Sequence, residues 1–432
     1  MRRREFVLAA GAMALSPFWK SKAQSSLGTL TWIESSSLWI RELPDGQAVK
    51  VTSAEGFASP RFSPSGRWIV LRKEDKEWLI RRDGYAGGPV SDARSLLSGE
   101  DLALLRPEGV FAPDGQRYVF PRVLPDTRVL PDDAAPTPTG QLCLASLGEP
   151  DREPEVLVSD DQGEKQVYGW ARDGKSVIYW DGDEWGASPW ADGMGLKSVS
   201  VERGIIQDLH VSALSNDDML DLAPSSAGNK LAVSDGQGRE TWAHKHVAVV
   251  DLDTGGSRYF LPDDVASMCP VWSPDGNGIA CFAGPDADIA YNRAHAGETY
   301  TLVHPDGSQT TETVKPGDNI NVGGGEDAHV YLQQRKIWLL DPSGSNPPRQ
   351  LTSDYRYRDE EPMWSADGGY ILFGRMDYQG HASLWLMDAS GAGAMQVCRL
   401  SVADPLTGKE EEAWFGYYGY IDWRQYFDWR RS

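Results

Sequence analysis

The sequence predicts an all-β protein built from one repeated four-stranded unit, and three observations predict it. The 432 residues include 45 Gly and 27 Pro, which favour turns, and 17 Trp and 16 Tyr, which favour strands. A motif of one aromatic residue, one small residue and a turn ending in Gly occurs repeatedly along the chain. A short β-rich run follows most copies. Regular repetition of such a unit is typical of a β-propeller.

The first 23 residues are predicted to be an export signal. Arg3 and Arg4 precede an apolar stretch over residues 6–19, and a small-x-Ala sequence allows cleavage between Ala23 and Gln24. The apolar stretch is shorter than the roughly 20 residues that a membrane-spanning helix needs. The pattern resembles a twin-arginine signal peptide, which implies a periplasmic or secreted protein with only transient membrane contact. A retained membrane anchor is the alternative.

The repeats begin after this segment. Each is a predicted hairpin, because an Asp-Gly turn between two β-rich runs lets Gly adopt positive φ without steric cost. The five clearest copies are Arg61–Gly66, Val110–Gly115, Gly169–Gly174, Val271–Gly276 and Met363–Gly368. Two weaker copies are Leu222–Gly228 and Ile320–Gly325. Third and fourth strands follow the hairpins, as in Lys336–Leu340 and Arg349–Thr352.

The two ends of the mature chain are predicted to share one blade. Residues 29–33, 37–41 and 47–52 read as second, third and fourth strands with no first strand before them. Residues 419–423 match the start of the motif and would supply that strand. Residues 24–432 would then form a single propeller of four-stranded antiparallel blades. We favour eight blades, and seven if the stretch around Ile320 is only an insertion.

The aromatic-Ser-Pro-Asp-Gly turn, the strand after it and the closing Leu-Thr resemble the TolB-type propeller repeat. They are also similar to the propeller repeats of prolyl-oligopeptidase-like enzymes. This resemblance implies the architecture, but not the activity, because the repeated residues are structural. The Gly-x-Ser-x-Gly elbow of the peptidases' hydrolase domain does not occur in the sequence.

Long connections are concentrated on one predicted rim, opposite the Asp-Gly turns. We call it the insertion rim, and its long segments are residues 121–140, 181–195, 235–244 and 284–298. Binding residues are often on loops that a rigid scaffold positions, so ligand binding is predicted on this rim. The candidate ligand-binding residues are Asp181, Asp183, Glu184, His210, His244, His246, His295 and His381.

A metal site is one interpretation of these residues. His244 and His246 lie two apart at a predicted strand start, so they share one side of it, and with a carboxylate they could hold a transition metal. Two ordinary surface histidines are the favoured alternative. Asp181-Gly-Asp-Glu and Asp251-Leu-Asp could suggest calcium, but neither has a full set of ligands. No other cofactor is predicted.

Cys269 and Cys281 flank one Asp-Gly turn. A disulfide is possible in an oxidising compartment, but direct cross-strand bridges are strained, so two buried thiols are favoured.

The C-terminal tail is unusually aromatic, with nine aromatic residues between Trp414 and Trp429. Packing over the end of the ring is favoured for those outside the closing strand, with a partner-binding patch as the alternative.

Charge limits the choice of partner. The chain has 42 Lys and Arg against 63 Asp and Glu, a net charge of -21 that becomes about -25 when residues 1–23 are removed. Such acidity argues against nucleic-acid binding and favours a cationic or metal-bridged partner. We expect a monomeric, non-catalytic binding or scaffold protein that recognises a protein or an envelope polysaccharide. The alternatives are a carbohydrate lyase or hydrolase, and a detached peptidase-type propeller that gates a separate hydrolase.

Overall fold

The computed structural model describes residues 26–432 with internal gaps. The segments outside the described residues are 53–55, 74–75, 83–85, 90–96, 98–100, 102–108, 125–138, 147–151, 161–164, 182–192, 304–307, 316–325 and 403–415. The predicted signal and its cleavage site at Ala23 and Gln24 also lie outside them. Among the described residues, no helix is both long enough and apolar enough to cross a membrane.

The described residues form seven four-stranded antiparallel sheets, numbered I to VII. Sheet I contains β1 (Gly28–Glu34), β2 (Ser37–Leu43), β3 (Val49–Lys50) and, from the other end of the chain, β30 (Phe427–Arg430). Sheet II contains β4 (Ala58–Phe62), β5 (Trp68–Lys73), β6 (Lys76–Arg81) and β7 (Ala86–Pro89). Sheet III contains β8 (Val110–Phe111), β9 (Arg117–Leu124), β10 (Thr139–Ser146) and β11 (Glu155–Asp160). Sheet IV contains β12 (Lys165–Trp170), β13 (Ser176–Asp181), β14 (Met194–Ser200) and β15 (Ile206–Ala213).

The remaining sheets follow the same up-and-down order. Sheet V contains β16 (Leu220–Leu222), β17 (Lys230–Asp235), β18 (His246–Asp251) and β19 (Ser257–Tyr259). Sheet VI contains β20 (Val265–Trp272), β21 (Ile279–Pro285), β24 (Lys336–Leu340) and β25 (Arg349–Gln350). Sheet VII contains β26 (Tyr357–Trp364), β27 (Tyr370–Asp377), β28 (Ala382–Asp388) and β29 (Met395–Leu400). A two-stranded hairpin, β22 (Thr299–Val303) and β23 (Gln309–Thr313), lies between β21 and β24 in the chain, as do helices α1 (Ala287–Ala294) and α2 (Glu326–Leu332).

The sheets are arranged like propeller blades. Sheet I packs on sheet II, each of sheets III to VI packs on the next sheet, and sheet VII packs back on sheet I through β29 and β1. The first strand of each sheet, β30 in sheet I, is its inner edge. These inner strands are β30, β4, β8, β12, β16, β20 and β26. The described structure thus confirms the all-β fold and the four-stranded antiparallel units predicted from the repeats.

The terminal strands pair as predicted, but the closing strand lies elsewhere. β1 pairs with Phe427–Arg430, not with residues 419–423. Gly416 and Gly419 have φ of 71° and 79°, so the chain turns there, and Trp423–Gln425 form a short 3-10 helix. Both segments contain two aromatic residues and one aspartate within five residues, so composition alone did not separate them. Phe427 and Trp429 are the pair that points into the core.

The predicted eighth blade is not found among the described residues. β21 pairs directly with β24, so residues 286–335 form one connection between the second and third strands of sheet VI. The β22–β23 hairpin in that connection pairs only with itself among the described strands. The weak copy at Ile320–Gly325 lies outside the described residues. The strands at Lys336 and Arg349 therefore complete the unit that begins at β20, as the seven-unit alternative requires.

Hydrogen bonds link the inner strands of neighbouring sheets. The indole Nε1 of Trp364 donates to the carbonyl of Val271 at 3.1 Å, joining sheets VII and VI. Trp170 makes the same bond to Val110 at 3.0 Å, joining sheets IV and III. The Asp221 carboxylate accepts from the backbone N–H of Trp272 at 2.7 Å, joining sheets V and VI. The aromatic residue of the repeat therefore holds one sheet against the next.

Packing explains the cysteines and the tail. All four cysteines are buried free thiols. Strand β20 has a register shift between Met268 and Val271, so Cys269 lies in a bulge and does not face Cys281. Among the tail aromatic residues outside the closing strand, Trp423 is buried, which confirms packing for that residue, whereas Tyr417 is exposed.

Candidate functional site

A central cavity of about 1270 Å³ lies between the inner strands. Residues from the inner strands of all seven sheets line it, together with residues of the repeat turns such as Pro113, Pro224 and Pro274. The cavity therefore faces the rim that carries the turns, which we call the turn rim. Its walls carry six aromatic side chains from the inner strands: Phe111, Tyr168, Trp170, Trp272, Phe427 and Trp429.

The C-terminal tail, residues 416–426, lies across the other end of the channel. Thr241, in the connection between β17 and β18, donates from its backbone N–H to the carbonyl of Tyr418 at 3.0 Å. The Gly419 carbonyl accepts from Arg335 at 2.8 Å and from Arg358 at 2.7 Å. Connections of this kind belong to the insertion rim. The tail thus covers the channel at the insertion rim before it enters the ring as β30.

Three inner strands contain the same backbone irregularity. Ser59, Cys269 and Glu361 each precede a proline, have φ of 51°, 52° and 48°, and lie at a register shift in β4, β20 and β26. A β-bulge redirects a side chain that would otherwise alternate across the sheet. Positive φ is uncommon for residues other than Gly, so these positions are set by the surrounding packing.

Four arginines line the cavity within an acidic protein: Arg61, Arg172, Arg424 and Arg431. Arg172 donates to the carbonyls of Ala223 at 3.0 Å and Leu222 at 3.1 Å, and Arg431 donates to the carbonyl of Trp364 at 3.3 Å. A carbonyl positions a guanidinium without neutralising it. Arg61 pairs with Glu77 instead.

Two aspartates share this cavity, Asp221 and Asp428. Burial raises the pKa of Asp221 to about 6, against the lowering effect of the Trp272 N–H and of the nearby charges of Arg424, Arg172 and Arg431. Burial also raises the pKa of Asp428, whose carboxylate accepts from the Phe62 N–H at 2.7 Å. Both carboxylates accept a hydrogen bond from a backbone N–H of the next sheet.

A buried group of acids and a thiol lies next to the cavity. Asp218, Cys269 and Glu361 are 3%, 1% and 2% exposed, and their potential ligand atoms all lie within 4.8 Å of one another. Tyr420 donates its hydroxyl to Asp218 Oδ2 at 2.6 Å, and Arg424 Nε donates to Glu361 Oε1 at 2.7 Å. No other group of three or more His, Cys, Asp or Glu side chains in the described part of the chain has potential ligand atoms this close together.

The environment favours the protonated forms of Glu361 and Cys269. Burial raises the pKa of Glu361 to about 8, and the neighbouring Asp218 adds to the increase against the opposing charge of Arg424. Burial also raises the pKa of the Cys269 thiol well above its usual range, with the charges of Asp218 and Glu361 contributing. Asp422 shows the same direction of pKa shift, from burial and the charge of Asp218. Several acidic side chains therefore lie close together beside Asp218.

An adjacent network contains fully paired charges. Glu360 accepts from Arg335 and Arg358, both at 2.6 Å, and from the indole N–H of Trp423 at 2.9 Å. Arg375 contacts Asp359 through two nitrogens, at 2.6 and 3.0 Å. These contacts join β26, β27, the end of the 286–335 connection and the tail, so this network is a structural one.

His244 and His246, the predicted metal-binding pair, do not line the central cavity. His244 Nε2 lies 2.9 Å from Asp288 Oδ2, and the His244 N–H donates to Asp286 Oδ2 at 2.7 Å. His246 begins β18, where it pairs with Asp235 in the register. The structure thus brings a carboxylate to His244. Metal binding by the two histidines stays a prediction.

The other predicted residues are dispersed. His210 lies within β15 and is exposed beside Asp208. His295 caps α1, where its ring stacks on Tyr291. Asp181 is buried between Lys165 and Lys197, and Asp183 and Glu184 lie outside the described residues. Asp251 accepts from the N–H groups of Asp253 and Thr254 in a strand-end turn.

His381 lies beside a second cavity, of about 800 Å³, on the insertion rim of sheet VII. Its Nδ1 is 3.0 Å from Asp377 Oδ2, and both residues line the cavity with Arg399 and Trp385. Sequence reasoning therefore found residues of this cavity and missed the central one. The only signal for the central site was a proline after Ser59, Cys269 and Glu361 in three copies of the repeat.

Comparisons with known proteins concern the fold. No protein-family model and no curated protein matches the sequence. Among solved structures, a prolyl endopeptidase is similar at 11% identity and a TM-score of 0.45. The similarity covers 86% of this chain and 50% of the endopeptidase chain. TolB from Acinetobacter baumannii is similar at 14% identity and a TM-score of 0.33, covering 74% of this chain and 65% of its own.

An oligogalacturonate lyase in complex with manganese is similar at 12% identity and a TM-score of 0.31, covering 85% of this chain and 71% of its own. This chain spans half the length of the prolyl endopeptidase and about two thirds of the TolB chain. At these identities the similarity does not extend to activity.

Proposed function

We propose that this protein binds a carboxylate-bearing partner in the central cavity, as a binding or scaffold protein of the periplasm or cell envelope. The observation that carries the proposal is the presence of four arginines in a cavity lined by all seven inner strands. The chain as a whole has a net charge of -21, so a cavity wall with four arginines differs in charge from the rest of the protein. The ligand class is a protein segment rich in Asp and Glu or an acidic envelope polysaccharide.

Arg172 and Arg431 are the main contacts in this proposal. Both are exposed and held by backbone carbonyls, so their charge is available to a ligand. A planar guanidinium binds a carboxylate through two parallel hydrogen bonds, and such charge-assisted bonds are stronger than neutral ones. Phe111 and Tyr168, the half-buried aromatic residues of the lining, add apolar contact area beside the charge. A cavity of about 1270 Å³ has room for several residues or sugar units of a chain.

The test is a calorimetric titration of the mature chain with three probes: an oligoglutamate peptide, an oligogalacturonate and an uncharged peptide of equal length. We expect binding of one acidic probe and none of the uncharged one. Each charged hydrogen bond contributes about 1.5 to 3 kcal/mol, so R172A/R431A should weaken binding by about 100-fold or more. Affinity should also fall as salt is added.

The matched control is Arg399→Ala, since this arginine lines the second cavity on the insertion rim. It should leave the affinity unchanged. Equal binding by R172A/R431A and the original chain, with both well folded, would contradict the proposal. The two acidic probes distinguish a polypeptide ligand from a polysaccharide.

A second candidate function uses the insertion rim, and the second cavity favours it. Asp377 holds His381 at 3.0 Å beside a concave surface with Arg399, a combination that could serve a lyase or hydrolase acting on an acidic sugar. Product analysis after incubation with oligogalacturonate distinguishes the two functions. Turnover that is lost in His381→Ala supports the enzyme, whereas binding without products supports the central-cavity proposal.

Export is part of the proposal, supported by the arginine pair and the cleavable segment before Gln24. Replacing Arg3 and Arg4 with Lys should keep the protein in the cytoplasm of a bacterial host if the twin-arginine route is used. The original chain should be recovered outside the cytoplasm with Gln24 as its first residue. N-terminal sequencing of the fractionated protein measures both outcomes. A full-length N-terminus in the membrane fraction would instead indicate an anchor.

A further inference from the structure

We propose that Asp218, Cys269 and Glu361 form a site for one divalent transition-metal ion, with Zn²⁺ the best match. Their potential ligand atoms lie within 4.8 Å of one another. Ligand atoms around a tetrahedral Zn²⁺ are about 3 to 4 Å apart, so only small side-chain movements are needed. The site goes beyond the proposed function and does not depend on it.

Asp218 gives the independent indication of a ligand. Its Oδ2 accepts from the Tyr420 hydroxyl at 2.6 Å and from the Cys269 thiol at 3.6 Å, whereas its Oδ1 is buried and has no hydrogen-bond partner among the described residues. Leaving a buried acceptor without a partner costs about 1 to 3 kcal/mol, and more for a charged group. A bound cation would satisfy this atom.

The donor set selects the class of ion. Ca²⁺ and Mg²⁺ take oxygen ligands, so a buried thiol is not a ligand they would use. Zn²⁺ accepts both thiolate sulfur and carboxylate oxygen. One thiolate and two carboxylates carry a charge of -3, Zn²⁺ brings +2, and the paired Arg424 brings +1. The occupied site would be electrically neutral, which a buried site requires.

The backbone and the neighbouring residues position these ligands. Cys269 and Glu361 occupy the same bulge position in adjacent sheets VI and VII, each before a proline with positive φ. Tyr420 and Arg424 hold the carboxylates of Asp218 and Glu361, the role that outer partners of metal ligands perform. Ser59 has the same backbone in sheet II, but it is not part of this group.

An ion could enter from the central cavity. Arg424 lines the cavity, its side chain is 41% exposed, and its Nε contacts Glu361. Pro270 and Met363, one and two residues after the two bulge residues, also line the cavity. A swing of the Arg424 side chain would therefore connect the cavity to the site.

The experiment uses the purified mature chain without a metal-binding tag, treated with a chelator and dialysed. Calorimetry with Zn²⁺ should show one tight site per chain. Co²⁺ in its place should give the near-ultraviolet charge-transfer absorption of a cobalt–thiolate bond. Cys269→Ser should abolish that absorption and weaken Zn²⁺ binding at least tenfold. Cys281→Ser, which alters another buried thiol of sheet VI, should retain both signals.

Two further variants protect the test against misfolding. Glu361→Gln keeps the side-chain volume and should weaken Zn²⁺ binding even if Cys269→Ser does not fold, as judged by circular dichroism. His244→Ala should leave binding intact. Absence of a stoichiometric site, Co²⁺ binding without thiolate absorption, or loss of the site in His244→Ala would each overturn the proposal.

Discussion

Charged side chains have different environments at the two ends of the central channel. At the turn rim, arginines are exposed in an open cavity and backbone carbonyls hold them. At the insertion rim, the tail covers the channel, and Glu360 is buried with Arg335 and Arg358. The same ring thus carries a charged surface available to a ligand at one end and a satisfied structural network at the other. We infer that mutations at the covered end affect folding, whereas mutations at the open end affect binding.

The largest effect is expected at the covered end. Glu360→Gln leaves two buried guanidinium groups without their carboxylate, and breaking a buried ion pair costs about 3 to 5 kcal/mol of unfolding free energy. Chemical denaturation measures it. Asp377→Asn, which alters a rim pair with an exposed histidine, should cost less than about 1 kcal/mol. Equal losses in the two variants would contradict the distinction between the ends.

The next effect concerns pH at the open end. The pKa of Asp221 is raised to about 6, above its ordinary value of 3.8. Its contribution to stability is therefore present below about pH 4 and is lost as the pH rises through 6. Below pH 6 the cavity also loses a negative charge, so an acidic ligand should bind several-fold more tightly at pH 5 than at pH 7.

Asp221→Asn sharpens this prediction. The variant should show a smaller difference in affinity between pH 5 and pH 7 than the original chain, because residue 221 carries no charge at either value and only Asp428 remains in the cavity as a carboxylate with a raised pKa. Calorimetry at the two pH values provides the measurement. An undiminished pH dependence in the variant would contradict the role given to Asp221.

A smaller effect is expected for the bonds between inner strands. Trp364→Phe removes the indole donor to Val271 and keeps most of the apolar contact. A single neutral hydrogen bond contributes about 1 kcal/mol, so thermal unfolding should begin a few degrees lower. Ligand affinity should not change, because the bond lies between sheets. A large loss of affinity would mean that the cavity shape depends on this bond.

The smallest effect is expected for His381. It is exposed and paired with Asp377, so His381→Ala should leave both stability and cavity binding within experimental error. A clear loss of binding would instead support the insertion rim as the ligand site.

Local patterns were enough to predict the repeated units. An Asp-Gly turn between β-rich runs depends on residues close in sequence, and Gly276 and Gly368 do adopt positive φ there, 77° and 69°. The sequence predicted the closing strand at residues 419–423 and not at Phe427–Arg430, because both segments are rich in aromatic residues. Only the turns at Gly416 and Gly419 and the packing of Phe427 separate them.

The candidate sites were mostly beyond the reach of the sequence. The central cavity takes Arg172 from sheet IV, Asp221 from sheet V and Arg431 from the chain end, and no local pattern relates them. Asp218, Cys269 and Glu361 are also far apart in sequence, and only the packing of the sheets in the ring brings them together. The long loops of the insertion rim can be recognised in the sequence, so the sequence predicted His381 and His244 as ligand-binding residues instead.

The central claim is that an acidic ligand occupies the cavity at the turn rim, and photo-crosslinking tests it most directly. An oligoglutamate peptide or oligogalacturonate with a photoreactive group would be crosslinked to the mature chain and the attachment sites mapped by mass spectrometry. We predict attachment to inner-strand segments around Trp170, Trp272 and Trp429, and its loss in R172A/R431A. Attachment around His381 and Arg399, unaffected by that double variant, would contradict the claim.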